Sequence, residues 1–140
     1  MANSNTSNLK KSTVAPKVDK RLFDVIYSEV GGGSPEEVVA VTSVFLNRIS
    51  TEGYEKALKS SSAYNKQSSE YKKAKLGLLN SYEQKVYLRN SAIVNGLLNN
   101  PTTIVPFTHF ENVNAFGEPS WGKGKPYKDI GRQRFYTIQE

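Results

Sequence analysis

Two helix patterns separated by a hard stop govern what this chain can fold into. Between Asp19 and Val30 the apolar positions Leu22, Val25, Ile26 and Val30 recur at helical spacing. Gly31-Gly32-Gly33 ends that run, and Ser34-Pro35-Glu36-Glu37 starts another. Ser34 is a candidate N-cap, Pro35 suits the first helical position, and Glu37 completes a capping box. This second helix is expected to run to about Ser50. Val38, Val39, Ala40, Val41, Val44, Phe45, Leu46 and Ile49 make it apolar almost all round, which belongs at the centre of a core. Its β-branched content also suits a strand, but its length and its cap argue for a helix.

The stop leaves one carboxylate, Glu29, at the C-terminal end of the first helix. That end carries partial negative charge and disfavours another. Shielded by Tyr27, Val30 and the next helix, Glu29 is expected to have a raised pKa and to hold its proton near neutrality. A protonated carboxyl beside glycines, where a bulky ligand can approach, suits a general acid for glycosidic cleavage. Taken alone, Glu29 is more simply a solvated helix-end residue.

At 140 residues the chain is expected to form one domain over 18–140, preceded by a disordered Asn/Ser/Thr/Lys-rich basic tail over 1–17. Cysteine is absent and His109 is the single histidine, so thiol chemistry and a His-based metal cluster are excluded, and a Ser-His-Asp triad would have to use His109. No metal or cofactor is implied. No apolar run approaches the roughly 20 residues of a membrane span, and residues 1–11 lack the apolar core of a signal peptide. If the target is extracytoplasmic, the expectation is residence in a host cytoplasm before release through a membrane pore, or delivery by a phage virion with its tail proteins.

The net charge of +6 is patterned. Residues 22–55 hold six acidic side chains against one basic, whereas 56–75 hold six basic against one acidic. Acidic and basic segments side by side suit an anionic polymer lying across a cleft, such as the bacterial wall or nucleic acid; a merely solvated face is the commoner explanation of any one lysine cluster. Nucleic acid ranks last, because the basic clusters are separate and the centre is acidic.

Further along, Gly53–Lys59 and Tyr64–Leu76 are shorter helical candidates, and Ser81–Asn99 is a longer one ended by Asn100-Pro101. Tyr64 and Tyr71, two turns apart, would share a helix face and floor a groove or pack on the core. Asn47 and Arg48 end the apolar helix, either as caps or as donors that orient a carboxylate or bind the polymer. Residues 101–140 hold four of the six prolines and are rich in aromatics, reading as an ordered loop region with a short hairpin. There Thr108-His109-Phe110-Glu111-Asn112, Trp121 and Ile130-Gly131-Arg132-Gln133-Arg134-Phe135-Tyr136 interleave rings with polar groups, as sugar faces or unpaired bases require. The same rings would serve equally as core under a long loop.

These segments together resemble the spore-cortex-lytic, SleB-type cell-wall hydrolase family. The matching positions are Glu29, Gly32, Glu36, Ala40, Val41, Val44, Asn47 and Arg48, then Thr108-His109-Phe110, Trp121, and Ile130-Gly131 with Phe135-Tyr136. They span residues 20–136, and their order is more specific than any one of them. Gln133 stands where the family has His, and Val30 where it usually has Ala. The resemblance implies a mainly α (α+β) lysozyme-like domain that cleaves peptidoglycan glycan strands between N-acetylmuramic acid and N-acetylglucosamine. It implies a lytic transglycosylase with Glu29 as acid and then base, releasing 1,6-anhydro products, with Thr108, Tyr64 and Tyr136 in the cleft. His109, Trp121 and Asn47 complete the candidate substrate-binding set. Glu111 is the candidate second carboxylate, which would favour hydrolysis as in a muramidase. A wall-binding or virion structural protein on the same fold, without turnover, is the remaining alternative.

Overall fold

The computed structural model describes residues 17–138. The expected tail over residues 1–17 lies, apart from Lys17, outside the described residues. Seven α-helices and a small antiparallel sheet follow in order. They are α1 (Lys20–Val30), α2 (Pro35–Glu52), α3 (Tyr54–Lys59), α4 (Ser62–Lys66), α5 (Ser69–Leu76), α6 (Ser81–Asn99), β1 (His109–Glu111), α7 (Val113–Phe116), β2 (Tyr127–Ile130) and β3 (Gln133–Tyr136). The domain is therefore mostly helical, with a three-stranded sheet in the order β1-β3-β2. Among the described residues no helix is long and apolar enough to cross a membrane.

Helix α2 forms where its apolar run and cap require. Ser34 Oγ accepts from the Glu37 N–H at 3.2 Å, and Pro35 occupies the first turn. Val38, Ala40, Val41, Val44, Phe45 and Leu46 are all buried, so α2 has little solvent face, and α1, α3, α6 and the sheet pack around it. A helix so enclosed has little water to satisfy its polar side chains, and two of them turn to the segment beside it. Ser43 Oγ accepts from the Val105 N–H at 3.1 Å, and the Asn47 amide donates to the carbonyls of Val105 and Phe107 at 2.9 and 2.8 Å. These bonds hold an extended segment that has no ladder of its own.

The capping box expected at Ser34 is only half made. Glu37 does not return to its own helix end; its buried carboxylate accepts from the Arg132 N–H in the two-residue β2–β3 loop. Burial raises its pKa above the ordinary value, against that hydrogen bond and the Arg132 charge. A full capping box sits instead on α6, between Asn80 and Glu83. The predicted Tyr64–Leu76 helix is likewise two helices. Gln67 is left-handed at φ 50° and ends α4, and Ser68 Oγ caps α5 by accepting from Tyr71 N–H at 3.2 Å. Tyr64 and Tyr71 thus lie on different helices, although their rings still meet edge-on at 5.6 Å.

The stop between α1 and α2 is pinned from α6. The buried Asn90 donates to the Gly31 carbonyl at 2.9 Å, and Arg89 donates to that of Gly33. Asp24, buried on α1, accepts from Lys20 Nζ at 2.9 Å and from the Tyr87 hydroxyl of α6 at 2.7 Å. The last residues of α1, Glu29 among them, are therefore held on both sides. The sheet packs through Phe110 and Phe135, which pair across β1 and β3, with Phe110 edge-on to Phe45 at 6.3 Å.

Gly131, at φ +60°, is required twice over, since a Cβ there would enter the Glu37 carboxylate. Gly131→Ala should lower stability by about 2–4 kcal/mol, from left-handed strain plus overpacking. Gly124→Ala, at φ +75° facing open space, should cost only about 1–2 kcal/mol. Chemical denaturation of the two variants against wild type measures the difference, and equal losses would remove the Glu37 contact from the account.

Candidate functional site

Glu29 is the penultimate residue of α1 and lines a cleft of about 540 Å³ between the helices and the sheet. Val44, Phe45 and Arg48 of α2 form one wall, Ser60, Ser61 and Ser62 a second, and His109, Phe110, Glu111 and Trp121 the third. The site is thus assembled from segments far apart in the chain and meets at one carboxylate.

Ser61 gives that carboxylate a fixed hydrogen-bond donor. Its hydroxyl accepts from the Tyr64 N–H at 3.2 Å as the N-cap of α4, and donates to Glu29 Oε2 at 2.6 Å. The cap fixes the oxygen, and the proton then points at Glu29. Burial raises the Glu29 pKa above its ordinary 4.5; the Ser61 hydrogen bond opposes this, and the neighbouring Glu111 carboxylate pushes it further up. The end of α1 adds the partial negative charge expected of a helix C-terminus. Glu29 is therefore a carboxyl whose proton is held more tightly than usual, with one fixed donor and a second carboxylate beside it. Glu111 itself accepts from the Asn112 N–H at 3.1 Å.

The aromatic wall is built in two layers. Trp121, 41% exposed, forms the surface, with its ring 5.0 Å from His109. Behind it Tyr136 is buried and meets Trp121 edge-on at 5.1 Å. Gly122 lets this happen, since a Cβ there would strike the Tyr136 ring. Thr108 Oγ1 accepts from the Ile138 N–H at 2.9 Å and lies 2.8 Å from His109 Nδ1, which orients the imidazole.

The structure thus brings Glu29, His109, Glu111 and Trp121 together in one cleft. Four other candidates stand behind it. Tyr136 backs Trp121, and Thr108 orients His109. Asn47 spends its amide on the backbone of Val105 and Phe107. The Tyr64 hydroxyl accepts from Arg21 Nη1 at 3.1 Å, in a cluster with Asp19 and Glu55. Arg48 is in the cleft wall, its Nε bonded to Glu52 Oε2 at 2.7 Å. Glu36 lies outside it, on the rim of a separate apolar pocket with Lys128 Nζ 3.9 Å away. Ser61 was missed by sequence reasoning. Its signal was the serine run ahead of Ala63-Tyr64, an N-cap pattern whose second hydrogen bond only the fold reveals. Among the described residues no three His, Asp or Glu side chains gather as a metal site.

No protein-family model matches the chain, and neither a curated protein nor a solved structure matches it. The site's own geometry makes two predictions. Ser61→Ala removes the one interaction that lowers the Glu29 pKa, so a carbon-detected NMR titration should show that carboxyl moving higher. Because the folded pKa lies above the unfolded one, the favourable contribution of protonated Glu29 is complete below pH 4.5 and is lost as pH rises through the folded value. Glu29→Gln should therefore be more stable than wild type at neutral and alkaline pH, with the advantage vanishing in acid. A pH-independent difference would show that Glu29 is not titrating across that window.

Proposed function

We propose that this chain is a peptidoglycan-cleaving glycosidase on a lysozyme-like fold, acting as a lytic transglycosylase. The observation that carries the reading is Glu29 itself: a half-buried carboxyl at a helix end, raised in pKa, aimed into a cleft with an aromatic wall and given one fixed donor by Ser61. The resemblance to spore-cortex-lytic hydrolases rests on the same residue and points to the same chemistry.

In this mechanism a glycan strand lies along the cleft with a sugar ring on Trp121. Protonated Glu29 gives its proton to the glycosidic oxygen as the bond to the muramic acid C1 breaks. The 6-hydroxyl of that sugar attacks C1, and the Glu29 carboxylate takes the hydroxyl proton. The products are a 1,6-anhydro end and a new 4-hydroxyl end. Ser61 supports the carboxylate stage, when the charge on Glu29 most needs a donor.

Glu111 favours a second reading. It lines the same cleft and acts on Glu29 electrostatically, which supports a reading in which it activates a water and gives hydrolysis with a reducing end. Inverting and retaining glycosidases both use such a pair of carboxylates.

Mass spectrometry of fragments released from purified sacculi separates the readings. Anhydro fragments, one water lighter than hydrolysed muropeptides, are expected from wild type. Glu29→Gln should release about a hundred- to ten-thousandfold less. Reducing-end fragments lost in Glu111→Gln would select the hydrolase. Binding to sacculi without fragments would leave a wall-binding protein. The rate should fall on the alkaline side as Glu29 loses its proton, and Ser61→Ala should carry that limb to higher pH. A limb that stays in place would separate Ser61 from the acid.

A further inference from the structure

The lysine-rich stretch after α4 has no part in the cleft chemistry, and it ends in an unusual turn. Helix α5 closes with Gly77 left-handed at φ +71°. The Gly77 N–H donates to the Ala74 carbonyl at 3.3 Å and the Leu78 N–H to that of Lys73 at 2.8 Å. This is a Schellman motif, in which the residue after the glycine normally packs on an apolar residue one turn back. Here the residue one turn back is Lys73, whose ammonium is bonded to Glu83 Oε2 at 2.6 Å. Leu78 therefore has no partner on its own helix. It is 64% exposed, Leu76 on the other side of the glycine is 62% exposed, and Tyr82 in the next turn is 71% exposed. The backbone hydrogen bonds fix the turn, so the leucines are held out by a rigid element.

Behind the tip lies a basic collar. Lys72, Lys75 and Leu76 fall on one stripe of α5, and Lys85 follows Tyr82 by one turn of α6. Lys72, Lys75 and Lys85 are exposed, and none pairs with a carboxylate among the described residues. Lys75 Nζ is drawn back from the tip toward Gln67 Oε1, at 3.4 Å. Meanwhile Glu70 and Glu83, the acids of the same two helices, both pair with Lys73.

We propose that the α5–α6 turn docks on an anionic lipid bilayer, with Leu76 and Leu78 entering the headgroup boundary and Lys72, Lys75 and Lys85 meeting the lipid phosphates. Apolar side chains ahead of long basic ones are the arrangement such a surface selects, since lysine stems reach back to the interface. A second copy of the chain is a poorer occupant, because a symmetric pair would press two lysine collars together. A protein partner of ordinary kind is also disfavoured, since lysine is depleted from the centres of such interfaces.

The test is vesicle flotation of the full chain in a Glu29→Gln background, which makes it independent of any wall cleavage. Vesicles of phosphatidylglycerol in phosphatidylcholine should carry the protein up, and pure phosphatidylcholine should not. Leu76→Ser/Leu78→Ser, at exposed positions that leave folding intact, should weaken partitioning about tenfold. Each of Lys72→Gln, Lys75→Gln and Lys85→Gln should weaken it about fivefold. No flotation of the parent protein overturns the proposal. Unchanged flotation of the leucine variant also overturns it, since binding would then come from other basic residues. So does a concentration-dependent dimer that the leucine variant abolishes, which would make a second copy the occupant.

Discussion

Everything in this molecule is arranged around a helix that has almost no side facing water. Helix α2 buries Val38, Val41, Val44 and Phe45 on successive turns, so α1, α3, α6 and the sheet must all be brought against it. The apolar contacts drive this, but they are non-directional and do not fix how far each element slides. The polar residues of α2 do that. Ser43 and Asn47 strap residues 105–107, and Glu37 takes the N–H of Arg132 in the β2–β3 loop. Ser43 and Glu37 are buried groups that would be costly to leave unsatisfied, and the half-buried Asn47 amide makes two bonds of its own, so each favours one placement of its partner. The cleft wall carrying His109, Glu111 and Trp121 inherits that placement.

Glu29 shows the opposite balance. A carboxylate at a helix end, half-buried and close to Glu111, is disfavoured in its ionised form by every large influence except Ser61. Among the described residues no guanidinium or ammonium forms an ion pair with it in the way that Arg21 answers Asp19 and Glu55 or Arg134 answers Asp129; Arg48, in the same cleft wall, is paired with Glu52. Those exposed pairs hold their carboxyls below the ordinary range. The chain thus has the means to make acidic carboxylates and does not use them at Glu29. Groups left in an unfavourable state by an otherwise well-paired structure concentrate at functional sites.

Sequence reasoning went furthest where the signal is local. The end of α1 at the glycines, the Ser34 cap and the bounds of α6 depend on neighbours in the chain, and periodicity and capping chemistry expose them. It failed where a polar side chain chose a remote partner. Glu37 has the sequence of a capping-box residue, but the β2–β3 loop offers it a buried N–H, and burial favours that bond over one at the solvent-facing helix start. Asn47 has the look of a groove donor and is instead 58 and 60 positions from the carbonyls it holds. Ser61 reads as an ordinary cap; its bond to Glu29 spans 32 positions. The break at Gln67 was obscured for a different reason. A non-glycine residue in the left-handed region is uncommon, and nothing in Asn65-Lys66-Gln67 announces it except the serines that follow.

The sheet explains why these remote bonds matter to the chemistry. Strand β1 has three residues, and successive side chains of a strand face opposite ways. His109 pairs with Tyr136 and Glu111 with Arg134, while Phe110 pairs with Phe135 and touches Phe45. A slip of one residue would send a charged side chain toward Phe45 and take Phe110 away from it. Three residues of ladder are too few to forbid such a slip alone. Register is instead held from outside. The Thr108 N–H bonds the Tyr136 carbonyl at 2.9 Å, Thr108 Oγ1 takes the Ile138 N–H, and the strap from Asn47 fixes the segment just before. Thr108, Asn47 and Tyr136 therefore belong to the site as its frame: they decide which residues face Glu29.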